Sequence, residues 1–526
     1  MPSNKKQHNK NKHKNNAGNQ QNSNNNKNNT NNSSSHNAAA AVRQFEQPKK
    51  LNLSPQARIE LHELIGLLLK TVYIETSNPK EEWEQYLKIQ EILKRIQELE
   101  EPLKQQCSHK PKGNRLANID KFYQWAKENG LQYENVEITE FPGYDLGLKA
   151  TRDIQKDEIL FGIPHKLVLS EEHEVCAFVR DFFQPSNLKL AFLLMVEALK
   201  EDSFWKPYID LLPESYNTVL YFTVEEMTQL KGSNALAAAL KQCRLIARLY
   251  AVIYHWPSSQ IPMADFKELF HYDLYRWAVS TVMTRENLIP RTKPKREGDT
   301  SDTIAALIPF WDMANHRDGT ITTFFNMETQ QVESSAQEDY KKGEQIFIYY
   351  GDRTNSDLMI HNGFINASNP KDKISIKLGL SPSDVLFEKR AKLLELLSIP
   401  KNSELKVLPA PDFISPELLA FVRVFNMNEE QLDHWINSER AMDLLHIDCA
   451  LETSLESKTW QYLQTRLMLL LRVFPQTLEE DEKQLALVKD QQVAMSSRAA
   501  MILEYRVLEK RILAAALDYA KQRTKA

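Results

Sequence analysis

Two stretches decide the fold of this chain: Ile308-Pro309-Phe310-Trp311-Asp312-Met313-Ala314-Asn315-His316 and Gly343-Glu344-Gln345-Ile346-Phe347-Ile348-Tyr349-Tyr350-Gly351. The second is an apolar run typical of a buried strand, and it closes on a tyrosine and a glycine. Asn315 carries both a donor and an acceptor, so its side chain can bond both ends of an amino-acid ligand. Tyr350 at a strand end supplies a rigidly placed hydroxyl, although packing within a sheet would explain this residue equally well if it stood alone.

In this order and spacing the two stretches resemble the paired signature motifs of SET-domain methyltransferases, in which they pack into a knot-like site. The resemblance implies S-adenosyl-L-methionine on one side of that site and a target side chain on the other. Methyl transfer from a sulfonium is an in-line displacement that needs alignment and exclusion of water rather than a metal. The paired motifs therefore predict methyl transfer, with Tyr350 as a catalytic residue.

Two further segments carry polar groups that suit this chemistry. The stretch from Tyr275 to Asn287 is a helix that ends in Arg285, whose guanidinium can clamp a carboxylate with two hydrogen bonds. Asn287 is suited to fixing one nitrogen of an imidazole, although a solvated helix end is the alternative reading. The glycine turn from Pro142 to Leu148 lets the backbone approach a cofactor closely, but most such turns are only turns.

From about Glu81 to about Lys521 the chain resembles the SET-domain actin-histidine N-methyltransferases, whose wider relatives are the plant Rubisco lysine methyltransferases. The stretches that carry the resemblance are 81–86, 150–154, 203–208, 273–287, 306–316 and 343–351. The resemblance implies an α+β fold: a SET β-core with a pseudoknot, an inserted helical block and an all-α C-terminal substrate-binding domain. It also implies transfer of one methyl group to the tele ring nitrogen of a specific histidine in actin.

The resemblance also implies roles for individual residues. The cofactor-binding residues are Arg115, Tyr144, Asp145, Leu146, Arg285, Asp312, Met313, Ala314, Asn315, His316, Asn362, Gly363 and Phe364, with Phe364 near the adenine. The substrate-binding residues are Asn287, Ile289, Ile308, Trp311, Tyr350 and Arg353, and the catalytic residues are Tyr350 and Asn287. Two departures matter: the family turn usually reads Glu-Gly-Phe-Gly where this chain has residues 144–147, and Leu249 replaces a glutamine that faces the peptide.

Hydrophobic periodicity and composition predict the domain order. Residues 1–45, rich in Asn, Lys and Ser, are expected to be disordered. A helical region follows at 46–133, with its second helix stopped by Pro102. The SET domain is expected at 134–351 with a helical insert at about 170–285, a segment completing the cofactor site at 352–380, and a helical domain at 381–526. Helix starts are expected at Ser381-Pro382 and Ser415-Pro416, and a capping box at Thr477.

Composition and charge exclude several classes of protein. The net charge is −4, and apolar residues make up 42% of the chain. Because the first 45 residues are basic, the rest of the chain is more acidic than this net charge. No nucleic-acid partner is therefore expected. The four cysteines form no CxxC pair, and His316 has no partner cluster, so no metal and a reducing compartment are expected. No run is long enough to span a membrane. A cytoplasmic monomer is expected, with nuclear import through the Lys5–Lys14 cluster as an alternative to a merely solvated tail.

Two rival functions remain open at this point. The first is a lysine methyltransferase of the same SET class, whose channel would favour apolar or aromatic walls. Asn287 with Trp311 favours a flat polar ring instead. The second is a non-catalytic scaffold that binds actin or another peptide, which an altered Tyr350 or Asn315 would have supported.

Overall fold

The computed structural model describes residues 53–106, 115–179, 186–257, 261, 263, 265–295, 301–449 and 451–525. The expected disordered tail 1–45 and its basic cluster lie outside these residues. The α-helices are α1 Pro55–Val72, α2 Pro79–Gln106, α3 Ile119–Glu128, α4 Glu174–Val179, α5 Ser186–Leu199, α6 Lys206–Ile209, α7 Val224–Thr228, α8 Ala235–His255, α9 Phe266–Leu269, α10 Tyr272–Arg285, α11 Asn355–Asp357, α12 Phe387–Leu396, α13 Pro416–Asn426, α14 Glu429–Ile436, α15 Thr453–Arg472, α16 Leu478–Lys489 and α17 Ser497–Lys525. A single π-helical turn, Leu358–Asn362, follows α11.

The strands are β1 Gln132–Tyr133, β2 Val136–Phe141, β3 Asp145–Ala150, β4 Ile159–Pro164, β5 Leu169–Ser170, β6 Asn287–Pro290, β7 Thr303–Leu307, β8 Asn315–His316, β9 Thr323–Asn326, β10 Gln331–Ser335, β11 Gln345–Ile348, β12 Ile374–Gly379 and β13 Asn402–Val407. They form sheets in the orders β1-β4-β10-β9, β2-β3-β11-β8, β5-β7-β6 and β12-β13. The mixture of small sheets and helical blocks confirms the α+β class.

The two motif stretches meet through a parallel pairing of β8 with β11. Asn315 lies opposite Phe347, and His316 lies opposite Ile348. The backbone N–H of Arg317 then donates to the carbonyl of Ile348 at 3.1 Å. Strands β3 and β11 pair antiparallel on the other side, so β11 is held between the cofactor turn and the Asn-His segment. The predicted contact between the two motifs is confirmed.

The helical block between β5 and β6 is an insertion, as the sequence predicts. Both strands pair antiparallel with β7, so the chain leaves this sheet at β5, builds α4 to α10, and returns to the same sheet at β6. Helices α5 and α10 pack against each other and are largely apolar on their buried faces. The end of α10 therefore delivers Arg285 and Asn287 to the sheet edge.

The C-terminal part has an apolar core of its own. Its members come from β12, β13, α12 to α15 and α17. The helical character of this part is confirmed, but the expectation that it is all-α is wrong, because β13 pairs with β12 from Gly379↔Asn402 to Ile374↔Val407. Alternation of polar and apolar residues at 404–407 is the signal of this strand, and a helical reading of the surrounding sequence hides it.

Two predicted helix boundaries are also wrong. Pro102 lies inside α2, which continues to Gln106; a proline removes one N–H bond, and near a helix end only the last turn bears that cost. Ser381-Pro382 starts no helix: the Ser381 hydroxyl accepts the N–H of Ser383 at 3.3 Å and makes a turn. The caps at Ser415 and Thr477 are confirmed, because each side chain accepts a backbone N–H of the first turn.

The described residues show neither a metal-binding cluster nor a membrane-spanning helix. No group of three or more His, Cys, Asp or Glu side chains is arranged in this part of the chain to hold a metal ion. None of the helices described here has both the length and the apolar character that crossing a bilayer requires. The domain boundaries given above stay predictions.

Candidate active site

A cavity of about 510 Å³ lies where the two motif stretches meet. Its wall comes from the turn before β3, the end of α10, the Asn-His segment and the chain after the π-helical turn. The lining residues are Arg115, Gly143, Tyr144, Asp145, Leu146, Pro213, Tyr216, Thr284, Arg285, Asp312, Met313, Asn315, His316, Tyr350, Asn362, Phe364 and Ile365. Every predicted cofactor-binding residue except Ala314 and Gly363 lies in this wall, and so does Tyr350.

The paired strands fix the polar groups at the centre of the wall. Asn315 Nδ2 donates to the carbonyl oxygen of Leu146 at 3.1 Å, which ties the Asn-His segment to the cofactor turn. The backbone N–H of Tyr350 donates to His316 Nδ1 at 3.2 Å. Burial lowers the pKa of His316, so its ring is neutral and accepts this bond. His316 therefore has a structural role, as the sequence favours over metal ligation.

Tyr350 has its hydroxyl fixed against the chain. The hydroxyl donates to the carbonyl oxygen of Ala314 at 2.8 Å, which places its oxygen at the cavity wall. Burial raises the pKa of Tyr350 to about 12, so the group stays a neutral hydroxyl near pH 7. Ala314 is itself buried and contributes this carbonyl rather than a side chain.

Two arginines bring positive charge to one end of the cavity. Arg115 Nε donates to the carbonyl oxygen of Leu211 at 2.7 Å, and its Nη1 pairs with Asp145. Arg285 Nη1 donates to the carbonyl oxygen of Asp312 at 2.5 Å. Burial lowers the pKa of Arg115, and the charge of Arg285 lowers it further. Arg285 shows the opposite balance: burial opposes its charge, but Asp312 and the neighbouring tyrosines Tyr216, Tyr208 and Tyr350 together outweigh burial and hold its pKa above the ordinary value.

Asp312 is the buried carboxylate at the arginine end of the cavity, where it accepts hydrogen bonds. The Tyr208 hydroxyl donates to Asp312 Oδ2, and the same oxygen lies 3.7 Å from Arg285 Nη1. Burial raises the pKa of Asp312, whereas Arg285 and the Tyr208 hydroxyl favour its ionised form. Tyr208 is fully buried and acts on the site through Asp312 and, by its charge interaction, through Arg285.

Three buried polar atoms of these side chains have no hydrogen-bond partner among the residues that the structure describes: Arg115 Nη2, Arg285 Nε and Asp312 Oδ1. Unsatisfied buried groups are costly and rare, so each one needs an explanation. Two cationic donors and one anionic acceptor match the carboxylate and the ammonium of an α-amino acid. The donor set therefore fits the amino-acid end of S-adenosyl-L-methionine, which is the cofactor that the sequence predicts.

The other end of the cavity is aromatic and apolar. Phe364 lies edge-on to Tyr350 with ring centroids 6.2 Å apart, and Ile365 follows it in the wall. Gly363 closes the π-helical turn with φ +77, and a Cβ there would come within 2.7 Å of the Asn217 backbone. Gly363 thus acts by its backbone, in setting the direction of the chain toward Phe364. A flat apolar slot of this kind suits a purine ring.

The residues predicted to bind substrate lie beside the cavity rather than in its wall, except Tyr350. Asn287 begins β6, and its Oδ1 accepts the N–H of Leu288 at 3.0 Å. Ile289 and Ile308 are buried. Trp311 Nε1 donates to Thr323 Oγ1 at 2.8 Å. Asn287 lies opposite Ala306, and Ile289 lies opposite Ile304, in the pairing of β6 with β7. Ile308 and Trp311 follow the end of β7. The role of these residues in substrate binding stays a prediction.

Arg353 and Leu249 are the remaining residues singled out for substrate contact. Arg353 Nε donates to the carbonyl oxygen of Tyr350 at 3.3 Å, and its Nη1 donates to Asn362 Oδ1 at 3.3 Å. Arg353 thus ties the carbonyl of Tyr350 to Asn362. Leu249 lies on the buried face of α8, and the loss of a substrate hydrogen bond there stays a prediction.

Sequence reasoning missed part of the wall. Gly143 and Thr284 stand inside stretches that were singled out, and their neighbours could have pointed to them. Pro213 and Tyr216 come from the insert, where no local pattern signals a site; the Tyr216 hydroxyl lies 2.8 Å from Thr281 Oγ1. Only the tertiary packing of the insert on the SET strands brings them to the cavity.

Comparison with family models places two of the chain's segments. Residues 145–351 match the SET domain, and residues 381–513 match the Rubisco LSMT substrate-binding domain. Solved structures show the same fold at low identity: Rubisco LSMT bound to AdoMet has a TM-score of 0.61 and 20% identity, and the match covers 77% of this chain and 92% of that one. A structure of the SET domain of LSMT bound to lysine and AdoHcy also has a TM-score of 0.61.

Curated relatives match along nearly the whole chain. The actin-histidine N-methyltransferase of Drosophila melanogaster is 48% identical over 515 residues, which cover 93% of this chain and 95% of that protein. The Xenopus tropicalis protein of the same name is 36% identical, and the match covers 89% of this chain and 80% of that protein. The human protein of that name is 35% identical, and the match covers 88% of this chain and 77% of that protein.

Proposed function

The chain belongs to the actin-histidine N-methyltransferases, a family built on the SET domain, and on that premise we propose that it transfers one methyl group from S-adenosyl-L-methionine to the tele ring nitrogen of a specific histidine in actin. The observation that carries the proposal is the parallel pairing of β8 with β11. This pairing sets Asn315 and Tyr350 in the wall of a cavity whose buried polar atoms fit an amino-acid ligand.

The cofactor end of the reaction is held by charged side chains. Arg115 and Arg285 bind the carboxylate of the cofactor, and Asp312 accepts from its ammonium. S-adenosyl-L-methionine supplies an electrophilic methyl group on a sulfonium. Most of the catalytic work of the chain is then alignment and exclusion of water, which together can lower a barrier by about 7–11 kcal/mol. The apolar slot beside Phe364 and Ile365 keeps the rest of the ligand from moving.

Tyr350 contributes an oriented oxygen at the reacting centre. Its hydroxyl hydrogen is committed to the Ala314 carbonyl, so the lone pairs of its oxygen remain available toward the cavity. Because its pKa is raised to about 12, Tyr350 acts by position and dipole and takes no proton at neutral pH. Arg353 and His316 hold the backbone on either side of it.

Asn287 selects the ring nitrogen in this proposal. Its Oδ1 accepts the N–H of Leu288, which orients the amide and leaves a second lone pair on the oxygen. That lone pair accepts the N–H of the distal imidazole nitrogen, so the other nitrogen presents its own lone pair to the methyl group. A histidine with a pKa near 6.5 is largely neutral and nucleophilic at pH 7, whereas a lysine near 10.4 must first lose a proton.

The compartment and assembly are part of the same proposal. We propose that the enzyme works as a monomer in the cytoplasm. Support comes from Cys176, Cys243 and Cys449, which are free thiols, as is usual in a reducing compartment. Cell fractionation and light scattering of the purified protein test the two statements.

The function is tested by label transfer from methyl-labelled S-adenosyl-L-methionine to purified, unmethylated actin. Label is expected in actin, and S-adenosylhomocysteine should suppress it because both ligands use the same cavity. Peptides that carry single actin histidines, with lysine replacements as the matched set, then separate histidine from lysine methylation. A protein that binds the cofactor but labels only lysine peptides would make it a lysine methyltransferase, and one that labels nothing would make it a scaffold.

A further inference from the structure

Asp145 begins strand β3 in a left-handed backbone conformation, directly after the hairpin turn that joins β2 to β3. Its φ of +61 lies in the left-handed region, which costs a residue with a Cβ roughly 1–2 kcal/mol. Aspartate tolerates this region better than most residues. The side chain is 59% exposed, and the pairing of Asp145 with Phe141 holds its backbone. Among the described residues, the ion-pair partner of the Asp145 side chain is Arg115.

Arg115 shows what this contact does. Its side chain is 13% exposed, and two of its three nitrogens are anchored: Nε on the Leu211 carbonyl at 2.7 Å and Nη1 on Asp145. The remaining nitrogen, Nη2, is buried and has no hydrogen-bond partner within the described part of the chain. A planar guanidinium held at two nitrogens has the direction of its third fixed.

Charge balance gives Asp145 a second effect on the site. Arg115 and Arg285 both lie in the cavity wall and repel each other, and each of them has a carboxylate partner, Asp145 and Asp312 respectively. Two positive and two negative groups leave this end of the cavity neutral. A zwitterionic ligand preserves that balance, whereas a simple carboxylate would add an uncompensated negative charge.

Resting on the proposed function, we infer that Asp145 is a positioning residue: it holds Arg115 so that Nη2 meets the ligand carboxylate, and it thereby makes the site select ligands that carry an α-amino-acid group. Asp145 itself touches the ligand by its backbone turn only. Its side chain acts through Arg115, and the selectivity is lost when either partner of the pair is removed.

The experiment is calorimetry on the full chain with two nucleosides. S-adenosylhomocysteine carries the amino-acid end, and 5′-methylthioadenosine lacks it. In Asp145→Gly the anchor is gone and the strained φ is relieved. Loss of one charge-assisted contact is expected to weaken the binding of S-adenosylhomocysteine by about tenfold. The affinity for methylthioadenosine should change by less than about twofold. The ratio of the methylthioadenosine Kd to the S-adenosylhomocysteine Kd therefore falls about tenfold.

Three further variants test the interpretation. Asp157→Gly relieves a similar left-handed aspartate, with φ +66, outside the cavity wall, and should leave both Kd values unchanged. Asp145→Asn keeps an acceptor oxygen and tolerates this φ, so the ratio of the two Kd values should fall only about threefold. This variant keeps the test decisive if the glycine variant misfolds. In an Arg115→Lys background the effect of Asp145→Gly should vanish.

Equal weakening of both nucleosides would make Asp145 a merely structural residue, and an unchanged ratio would remove it from the site; either result overturns the inference. These outcomes differ from failure of the proposed function. That failure would appear as wild-type protein that binds S-adenosylhomocysteine but methylates no histidine of actin.

Discussion

At the scale of single residues, the centre of the site is the hydroxyl of Tyr350. Its hydrogen bond to the Ala314 carbonyl and its raised pKa keep it neutral and oriented. Tyr349, the preceding residue, offers a matched comparison: its ring stacks on His316 at 5.8 Å, but its hydroxyl bonds Asp352 outside the cavity wall. The two tyrosines differ in what their oxygens face, and substitution can separate them.

Tyr350→Phe is expected to slow methyl transfer by roughly ten- to hundredfold, which corresponds to about 1–3 kcal/mol of transition-state stabilisation. Its affinity for S-adenosylhomocysteine should stay nearly unchanged, because the hydroxyl acts on the reacting groups. Single-turnover kinetics and calorimetry measure the two quantities. Tyr349→Phe should leave both near wild type, and a large loss of cofactor affinity in Tyr350→Phe with normal chemistry would refute the assignment.

Asn287→Val is expected to shift substrate choice from histidine toward lysine. It removes an acceptor worth about 1–3 kcal/mol, or roughly ten- to hundredfold in rate on histidine, and makes the pocket more apolar. The measurement is kcat/KM on two actin peptides that differ only by histidine or lysine at the target position. Leu288→Ala, an exposed neighbour, is the control. If the histidine-to-lysine ratio does not move, Asn287 is not the selector.

At this scale the sequence predicted the polar residues of the site better than its walls. Asn315, Tyr350 and Arg285 stand in local motifs, and the structure sets all three in one cavity. Tyr208 and Tyr216 carry no such signal, because their contacts are made across the fold. The sequence placed Asn287 at the end of a helix, whereas it begins strand β6, and its distance from a target side chain does not follow from the sequence.

At the scale of elements, the π-helical turn Leu358–Asn362 aims Asn362 and Phe364 at the cavity. Gly363 ends it in a left-handed conformation, close against the Asn217 backbone. Gly343 also has a positive φ, of +93, but nothing lies within 4 Å of its missing Cβ. The two glycines therefore share a conformational need and differ in packing.

Gly363→Ala is expected to destabilise the protein by at least 1 kcal/mol more than Gly343→Ala, because only the first adds a clash with backbone to the shared left-handed cost of roughly 1–2 kcal/mol. It should also weaken S-adenosylhomocysteine binding through the displaced Phe364. Denaturant unfolding and calorimetry measure both effects. Equal stability losses in the two variants would show that the approach to Asn217 relaxes freely.

Elements with local signals were the predictable ones. Thr477 and Ser415 satisfy backbone N–H groups of their own first turns, and such contacts depend on the neighbouring residues alone. The predictions at Pro102 and Ser381 were wrong because a proline can also lie inside the last turns of a helix, and a serine before a proline can also begin a turn. β13 was missed because the sequence around it is helical, and its pairing partner β12 lies before residue 381, where the helical domain was predicted to begin.

At the scale of the whole molecule, α17 joins the separate apolar cores. Its residues Met501, Ile502 and Tyr505 pack in the core that includes the SET strands, and further along Ile512 and Leu513 pack in the C-terminal core. In the same helix Glu509 is buried, and its Oε1 accepts the Asn234 N–H at 3.0 Å. Burial raises the pKa of Glu509 to about 7.

A second buried carboxyl, Glu100, joins α2 to the insert. It accepts from the Tyr250 hydroxyl and from the Tyr272 N–H, and burial raises its pKa to about 8. Because folding raises both pKa values above the ordinary one near 4.5, these groups favour the folded state most strongly at low pH. Their contribution falls as the pH rises from about 4.5 to 8.

Glu509→Gln and Glu100→Gln are therefore expected to be more stable than wild type at pH 8.5, by about 1–3 kcal/mol each, since one pKa unit corresponds to about 1.4 kcal/mol. The gain should shrink toward zero near pH 5, where the native carboxyls hold their protons. Thermal unfolding at the two pH values measures it. Glu504→Gln is the less buried control in α17, and a gain independent of pH would contradict the buried-acid explanation.

The long-range arrangement of the chain was predictable where two recognisable motifs pair with each other. The Asn-His stretch and the Tyr350 strand pair as expected, and the insert returns to β7. The joining of cores by α17 was not predictable, because apolar spacing on a helix shows that a face is buried and not what buries it.

The most direct test of the central claim is the position of the methyl group. Unmethylated actin is incubated with the protein and S-adenosyl-L-methionine, and its peptides are sequenced by mass spectrometry beside synthetic standards methylated on each ring nitrogen. The account predicts one methyl group, on the tele nitrogen of a single histidine, and none when S-adenosylhomocysteine is in excess. A methyl group on lysine or on the other ring nitrogen, or unmodified actin from protein that binds the cofactor, would contradict it.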